Sequence, residues 1–205
     1  LTYPSGGYRV VHPELLGAEF DPFREICDNG VDDTSDGKAD CDDPSCAQAL
    51  PCREEIPSTL DLFVMSQCPF GTQALGAMYE VTKHFGEEMT LNVHWIVTLE
   101  PASLIDEEVR ESYCLVRGEE ALCSMHGAQE AEENLRQACV QSHYDTAHFM
   151  DYARCMTGPS GLGWEECAEA AELDPEAVSE CAVGQEGWEL LVQDASLSDV
   201  LGVNA

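Results

Sequence analysis

Residues 63–71 read FVMSQCPFG, and residues 124–139 read SMHGAQEAEENLRQAC. The first stretch decides the fold. Its apolar lead, within residues 60–66 (LDLFVMS), predicts a buried strand. Helix signals follow Pro69: Leu75, Met78, Tyr79, Thr82 and Phe85 recur at helical spacing, and Gly86 stops the run. Residues 89–99 (MTLNVHWIVTL) alternate as a second strand, with Leu91, Val93, Trp95 and Val97 on one face. Strand, helix and strand in so short a span imply a right-handed crossover and a parallel pair. Cys68 is thereby delivered to a helix start, where free backbone N–H groups and the helix dipole favour a thiolate.

A dithiol version of that corner needs a second cysteine three positions on, to resolve a mixed disulfide. That position holds Gly71, and the motif is Cys-Pro-Phe-Gly. A lone thiol can still attack a disulfide, with release by an outside thiol or a distant partner. The competing reading makes Cys68 a relic or one half of a structural bridge.

Outward from this corner the chain falls into three parts. Residues 1–24, rich in Pro, Gly and Tyr without a period, predict an irregular extension. Residues 25–56 form an Asp/Cys-rich module too small for its own core, with Pro57 and Ser58 marking the passage into the main domain of 57–205. Within that domain, residues 102–195 read as a helical insertion, with helices near 105–116, 126–142, 145–156, 164–171 and 175–194. Asp174-Pro175 is a start signal, Asp as cap and Pro at the first helical position.

Residues 60–97 resemble the thioredoxin-like part of the gamma-interferon-inducible lysosomal thiol reductase family and its bacterial relatives. That family's signature is Cys-Gln-His-Gly, two residues, Glu-Cys, two residues, Asn, four residues, Cys. His126, Gly127, Glu130, Asn134 and Cys139 match it in type and spacing. Ser124, Met125 and Ala131 replace its Cys, Gln and second Cys, and Cys123 lies one place before the lost first cysteine. The resemblance implies an α/β, thioredoxin-like sheet carrying a large helical insertion, and thiol–disulfide chemistry on a disulfide-containing protein or a small thiol. His126, Gly127, Glu130 and Asn134 are expected to share one helix face. Their expected role is structural, pinning the insertion to the sheet or lying beside the redox corner; a proton-donor role for His126 is the alternative. Chains of the family continue beyond the motif found at 201–205 into a Pro-containing loop, two strands and a helix. An open sheet completed by a partner polypeptide is the expectation here.

The chain has 205 residues, with 40 acidic and 9 basic ones and a formal net charge of −31. So few cations exclude nucleic acid and anionic membrane surfaces as partners. Eleven widely dispersed cysteines read as a disulfide framework in an oxidising compartment, hence a secreted or periplasmic protein. The odd count leaves one thiol over. With Cys68 unpaired, local pairing predicts Cys27–Cys41, Cys46–Cys52, Cys114–Cys123, Cys155–Cys167 and Cys139–Cys181. Leu1-Thr2-Tyr3-Pro4 has neither the basic start nor the apolar run of a signal peptide, so the chain is expected to begin after processing or at a cut boundary.

Residues 26–46 read ICDNGVDDTSDGKADCDDPSC. Counted from Asp32, oxygens fall at EF-hand-type positions: Asp32, Thr34, Asp36, the Lys38 carbonyl, Asp40 and Asp43, with Gly37 where the loop turns sharply. The last ligand is Asp, shorter than the usual Glu. Hard oxygens select calcium, expected to act structurally in a calcium-type module. The bland reading is an acidic turn held by disulfides. Cys68 with Met65, Met78, Met89, His143 or His148 offers a weaker, copper-type alternative, since scattered Met usually packs cores. A non-catalytic assembly subunit, rigidified by calcium and disulfides, is the second function class.

Overall fold

The computed structural model describes residues 25–47, 49–158 and 161–203. The extension expected over 1–24 lies outside the described residues. The chain divides into two units after Glu54.

In the first unit short 3-10 turns at Asp40–Asp42, Pro44–Cys46 and Leu50–Cys52 fold the backbone back on itself. They overturn two of the expected bridges: the pairs are Cys27–Cys46 and Cys41–Cys52. Nearest-in-sequence pairing failed because the turns bring the third and first, and the fourth and second, cysteines together. A buried carboxylate stands in for an apolar core. Glu25 accepts backbone N–H groups from Asp33, Thr34 and Asp40.

The second unit is mixed α/β. Strand β1 (Thr59–Val64), helix α1 (Pro69–Phe85) and strand β2 (Thr90–Trp95) form the expected parallel pair, in register from Thr59↔Thr90 to Val64↔Trp95. Leu91, Val93, Trp95 and Val97 are all buried, as their alternation requires. The predicted second strand does not run unbroken: β3 (Thr98–Pro101) leaves this sheet and joins an antiparallel one. There it pairs with β5 (Glu120–Cys123), which pairs in turn with β4 (Cys114–Arg117), in the order β3-β5-β4.

The β4–β5 hairpin corrects the reading of 102–195 as wholly helical. The expected helix at 105–116 shortens to α2 (Glu107–Tyr113), and Cys114 starts a strand instead. Apolar Leu115, Ala121 and Leu122 around Gly118 are a hairpin pattern too short to outweigh the helical composition around it. Beyond it the helices follow: α3 (Ala128–His143), α4 (Thr146–Thr157), α5 (Trp164–Ala170), α6 (Pro175–Val183) and α7 (Gln185–Leu201). The single helix expected over 175–194 is two, because the chain becomes extended at Gly184. Asp174 caps α6 by accepting the Glu176 N–H, and Asp145 caps α4 through the Ala147 and His148 N–H groups. Trp95, Tyr152, Phe149, Leu75, Leu122 and Leu191 centre the core.

The two edges of the parallel pair differ. On β2, Val93 and Trp95 turn their backbone groups away from β1. The Gln141 side-chain amide accepts the Val93 N–H at 2.8 Å and donates to its carbonyl at 2.9 Å. Asp194 accepts the Trp95 N–H at 3.0 Å. On β1, Asp61 and Phe63 turn theirs to the opposite side, where no strand lies among the described residues.

His94 locks this sheet to α7. Its Nδ1 lies 2.9 Å from Asp194, its Nε2 lies 3.5 Å from Asp61, and its ring stacks on Phe63. Burial works against its charge, but the hydrogen bonds and charges of Asp194 and then Asp61 outweigh burial and raise its pKa above the ordinary value. A raised histidine contributes stability that is full below the unfolded value of roughly 6.5 and is lost as pH climbs through the folded one. The melting temperature is therefore expected to fall as pH rises above neutrality. That slope flattens in His94→Asn, as a pH series of calorimetric scans will check; an unchanged slope would refute the assignment.

Candidate functional site

Cys68 is the N-cap residue of α1. Its backbone is extended (φ −68°, ψ 128°), and its carbonyl accepts the Thr72 N–H at 2.8 Å. Pro69 follows at a position where its missing N–H costs nothing. The thiol is half-buried and free, while the other ten cysteines form five bridges. Three of those are the expected Cys114–Cys123, Cys139–Cys181 and Cys155–Cys167. Such bridging fits an oxidising compartment such as the extracellular space or a lysosomal lumen. No helix among the described residues is long and apolar enough to cross a membrane.

Gly71 is buried against the end of β1. A Cβ there would collide with the Met65 carbonyl oxygen, the same oxygen that accepts the Cys68 N–H. A resolving cysteine does not fit at this position on this backbone. The glycine is a packing requirement as well as a lost thiol.

The loop that presents Cys68 is fastened to α3 from below. Glu130 is fully buried, and its carboxylate accepts four donors. These are the Gln67 N–H at 2.8 Å, the Ser124 hydroxyl, the His126 N–H at 3.3 Å and His126 Nδ1 at 2.9 Å. Asn134, one turn on and also buried, accepts the Ser66 N–H at 3.3 Å. The two residues before Cys68 are thus both held by α3. His126 and Gly127 do not lie on the helix face expected for them. Gly127, at φ 108°, is the N-cap residue of α3, a conformation that excludes most side chains. His126 precedes it and is partly exposed. Cys139 lies farther along α3 and is committed to Cys181 on α6.

Ser66, Gln67 and Ser124 carry this network and were not singled out in the sequence. Ser124 had a signal, since it occupies the signature's first cysteine position. Neither of two sizeable cavities includes Cys68 in its lining. One of about 390 Å³ lies by Asn92, Gln141 and Asp194, and one of about 580 Å³ by Tyr79, Met89 and Met150. The thiol is half-buried, and Phe70, two residues on, is 79% exposed.

In the first unit, the six oxygen sites divide. Asp32 and Asp43 both meet the Thr34 hydroxyl, at 3.4 and 3.3 Å. Gly37 makes the sharp turn at φ 96°, and its N–H donates to Asp32. Asp36 is occupied by the Lys38 N–H, and Asp40 turns to the N–H groups of Asn29 and Gly30. Hydrogen bonding to Ser45 lowers the Asp43 pKa, favouring an anionic carboxylate. Thus three of the six converge. Among the described residues, one group of three His/Cys/Asp/Glu side chains has ligand atoms within 4.8 Å of each other: His143, Cys181 and Glu186. Its sulfur is bridged to Cys139. Of the other copper-type candidates, Met78 and Met89 pack against the core, and His148 pairs with Asp145 at 2.8 Å.

A family model described as gamma interferon inducible lysosomal thiol reductase (GILT) matches residues 59–171. A search of curated proteins finds no match. The family match begins with β1, spans Cys68 and every signature residue, and ends just past α5, covering more than half of the chain. The chain belongs to the gamma interferon inducible lysosomal thiol reductase family.

Proposed function

We propose that this protein is a secreted or periplasmic thiol–disulfide oxidoreductase that acts through Cys68 alone at the point of attack. The observation that carries the reading is one free thiol at the start of α1, on a loop braced by Glu130 and Asn134. The Cys68 thiolate attacks one sulfur of a substrate disulfide, and the other sulfur leaves as a thiolate and takes a proton from water. An external thiol then attacks the mixed disulfide and frees Cys68. The open setting around Phe70 suits a disulfide on a polypeptide better than one enclosed in a pocket.

The test uses the native, unreduced protein and an aromatic disulfide that releases a coloured thiolate. One equivalent is expected per protein, with the label mapped to Cys68 by mass spectrometry and lost in Cys68→Ser. An inert Cys68 would leave the assembly reading in its place. The outer edge of β1, which no strand pairs among the described residues, favours that reading: a strand of a partner polypeptide pairing with Asp61 and Phe63 would complete the sheet.

Calcium is proposed for the first unit on the convergence of Asp32, Thr34 and Asp43. A chelator is expected to increase proteolysis within residues 25–54, and added calcium to reverse it. Unchanged cleavage would mean that Glu25 and the two bridges suffice.

A further inference from the structure

Backbone groups along β2 alternate in direction. Thr90 donates its N–H to Ser58 and Ile96 donates to Val64, so the even-numbered residues face β1. Leu91, Val93 and Trp95 face the other way. Val93 is met there by the Gln141 carboxamide, which accepts its N–H and donates to its carbonyl. The Trp95 N–H is met by Asp194. Leu91 differs from both. It is 5% exposed, yet no protein group among the described residues pairs with its N–H or its carbonyl on that side. Buried backbone groups are nearly always paired, so this pair calls for a partner.

The cavity of about 390 Å³ runs along the same edge, and Leu91, Gln141 and Asp194 all line it. That volume is in the range of small-molecule sites. Phe149 and Leu190 give it apolar wall, while Ser142, Tyr144 and Gln193 give it polar but uncharged wall. Asp194 is the only Asp, Glu, Lys, Arg or His in the lining, and it is already committed to His94 and to the Trp95 N–H. In a chain of net charge −31 this site offers no free cation to an anion and no free carboxylate to a cation.

We propose that this cavity binds a small neutral molecule through a primary carboxamide, seated on Leu91 as Gln141 is seated on Val93. A primary carboxamide carries its oxygen and one N–H on the same side, so it can accept from and donate to a single residue. A secondary amide in its trans form turns the two to opposite sides. A carboxylate has no proton to give the Leu91 carbonyl and would lie near Asp194. The apolar body of the ligand packs on Phe149 and Leu190. An extended peptide does not fit, because Gln141 and Asp194 hold the next two outward positions of the strand. The site is at the start of β2, whereas Cys68 follows the far end of the parallel β1, so the inference stands apart from the thiol reading.

Benzamide, titrated into the full chain and followed by ¹⁵N–¹H NMR, tests this. The Leu91 N–H resonance is expected to move downfield and to saturate. Benzoate and N-methylbenzamide, similar in size, should bind at least about tenfold more weakly, the loss for one unmet hydrogen bond. Ser142→Trp, at an exposed lining position of α3, should abolish the saturable shift without lowering the melting temperature. Gln193→Trp blocks from α7 should the first variant fail to fold. Labelling of Cys68 by the aromatic disulfide should be unchanged by benzamide. A Leu91 resonance that stays still, or that drifts without saturating and does so equally in the blocked variants, overturns the site. Equal binding of benzoate or N-methylbenzamide overturns the carboxamide assignment, and a benzamide effect confined to Cys68 labelling overturns the location.

Discussion

Glu130→Ala is expected to destabilise the second unit by roughly 4 kcal/mol, with buried donors left unmet at about 1–3 kcal/mol each as the main cause. The carboxylate is fully buried and is the shared acceptor for Gln67, Ser124 and His126. Among the described residues no other side chain accepts the Gln67 N–H, and alanine leaves a void that water must fill or the loop must collapse into. At about 2–4 °C per kcal/mol for a unit of this size, the melting temperature should drop on the order of 10 °C. Glu130→Gln should cost less, because one acceptor oxygen survives while the amide NH₂ faces donors. The effect also reaches the thiol. With Gln67 released, the loop carrying Cys68 loses one of its two ties to α3, and alkylation of Cys68 should change in rate while the five bridges stay formed. A Glu130→Ala protein that melts within 1–2 °C of the parent would show that the carboxylate does not hold this corner.

Removal of the Cys139–Cys181 bridge by a double alanine substitution is the second large effect. The bridge spans 42 residues and ties α3 to α6. The chain-entropy relation gives about 4 kcal/mol for a loop of that length. Repacking adds to this, since both sulfurs are buried and a Cβ at Gly187 would stand 3.1 Å from the Cys139 sulfur. The same relation gives about 3 kcal/mol for Cys155–Cys167, whose separation is 12. Denaturant titration of the two double variants should therefore show the larger loss for Cys139–Cys181. The reverse order would mean that local strain or residual structure, not loop closure, governs these bridges.

The β1-α1-β2 unit was legible because its signals are local and strong: an apolar run, Pro69 at the helix start, Gly86 at its end, and a period of two through Leu91, Val93, Trp95 and Val97. Helices α3 to α5 and the start of α6 were legible from period and caps. What was not legible depends on tertiary choice. The hairpin at 114–123 is short, and its pairing with β3 comes from a stretch that leaves its first sheet after Trp95. The two bridges of the first unit could not be read, because four cysteines allow three pairings and the turns decide among them. At the site, spacing identified Glu130 and Asn134 but assigned His126 and Gly127 to a helix that begins after them. Two of the donors that Glu130 serves, the Gln67 and His126 N–H groups, are backbone and carry no sequence signal of their own. One oxygen of the Asp40 side chain accepts two N–H groups of the turn before it, a role that only the placed backbone makes visible.

Gln141 and Asp194 give the parallel pair a polarity of another kind. Side-chain atoms of these two residues occupy hydrogen-bonding positions that a neighbouring backbone would otherwise take along β2. Stacking of molecules into a continuous ribbon requires two receptive borders on every copy, and here one is sealed from within. Growth of such a ribbon across β2 is thereby stopped.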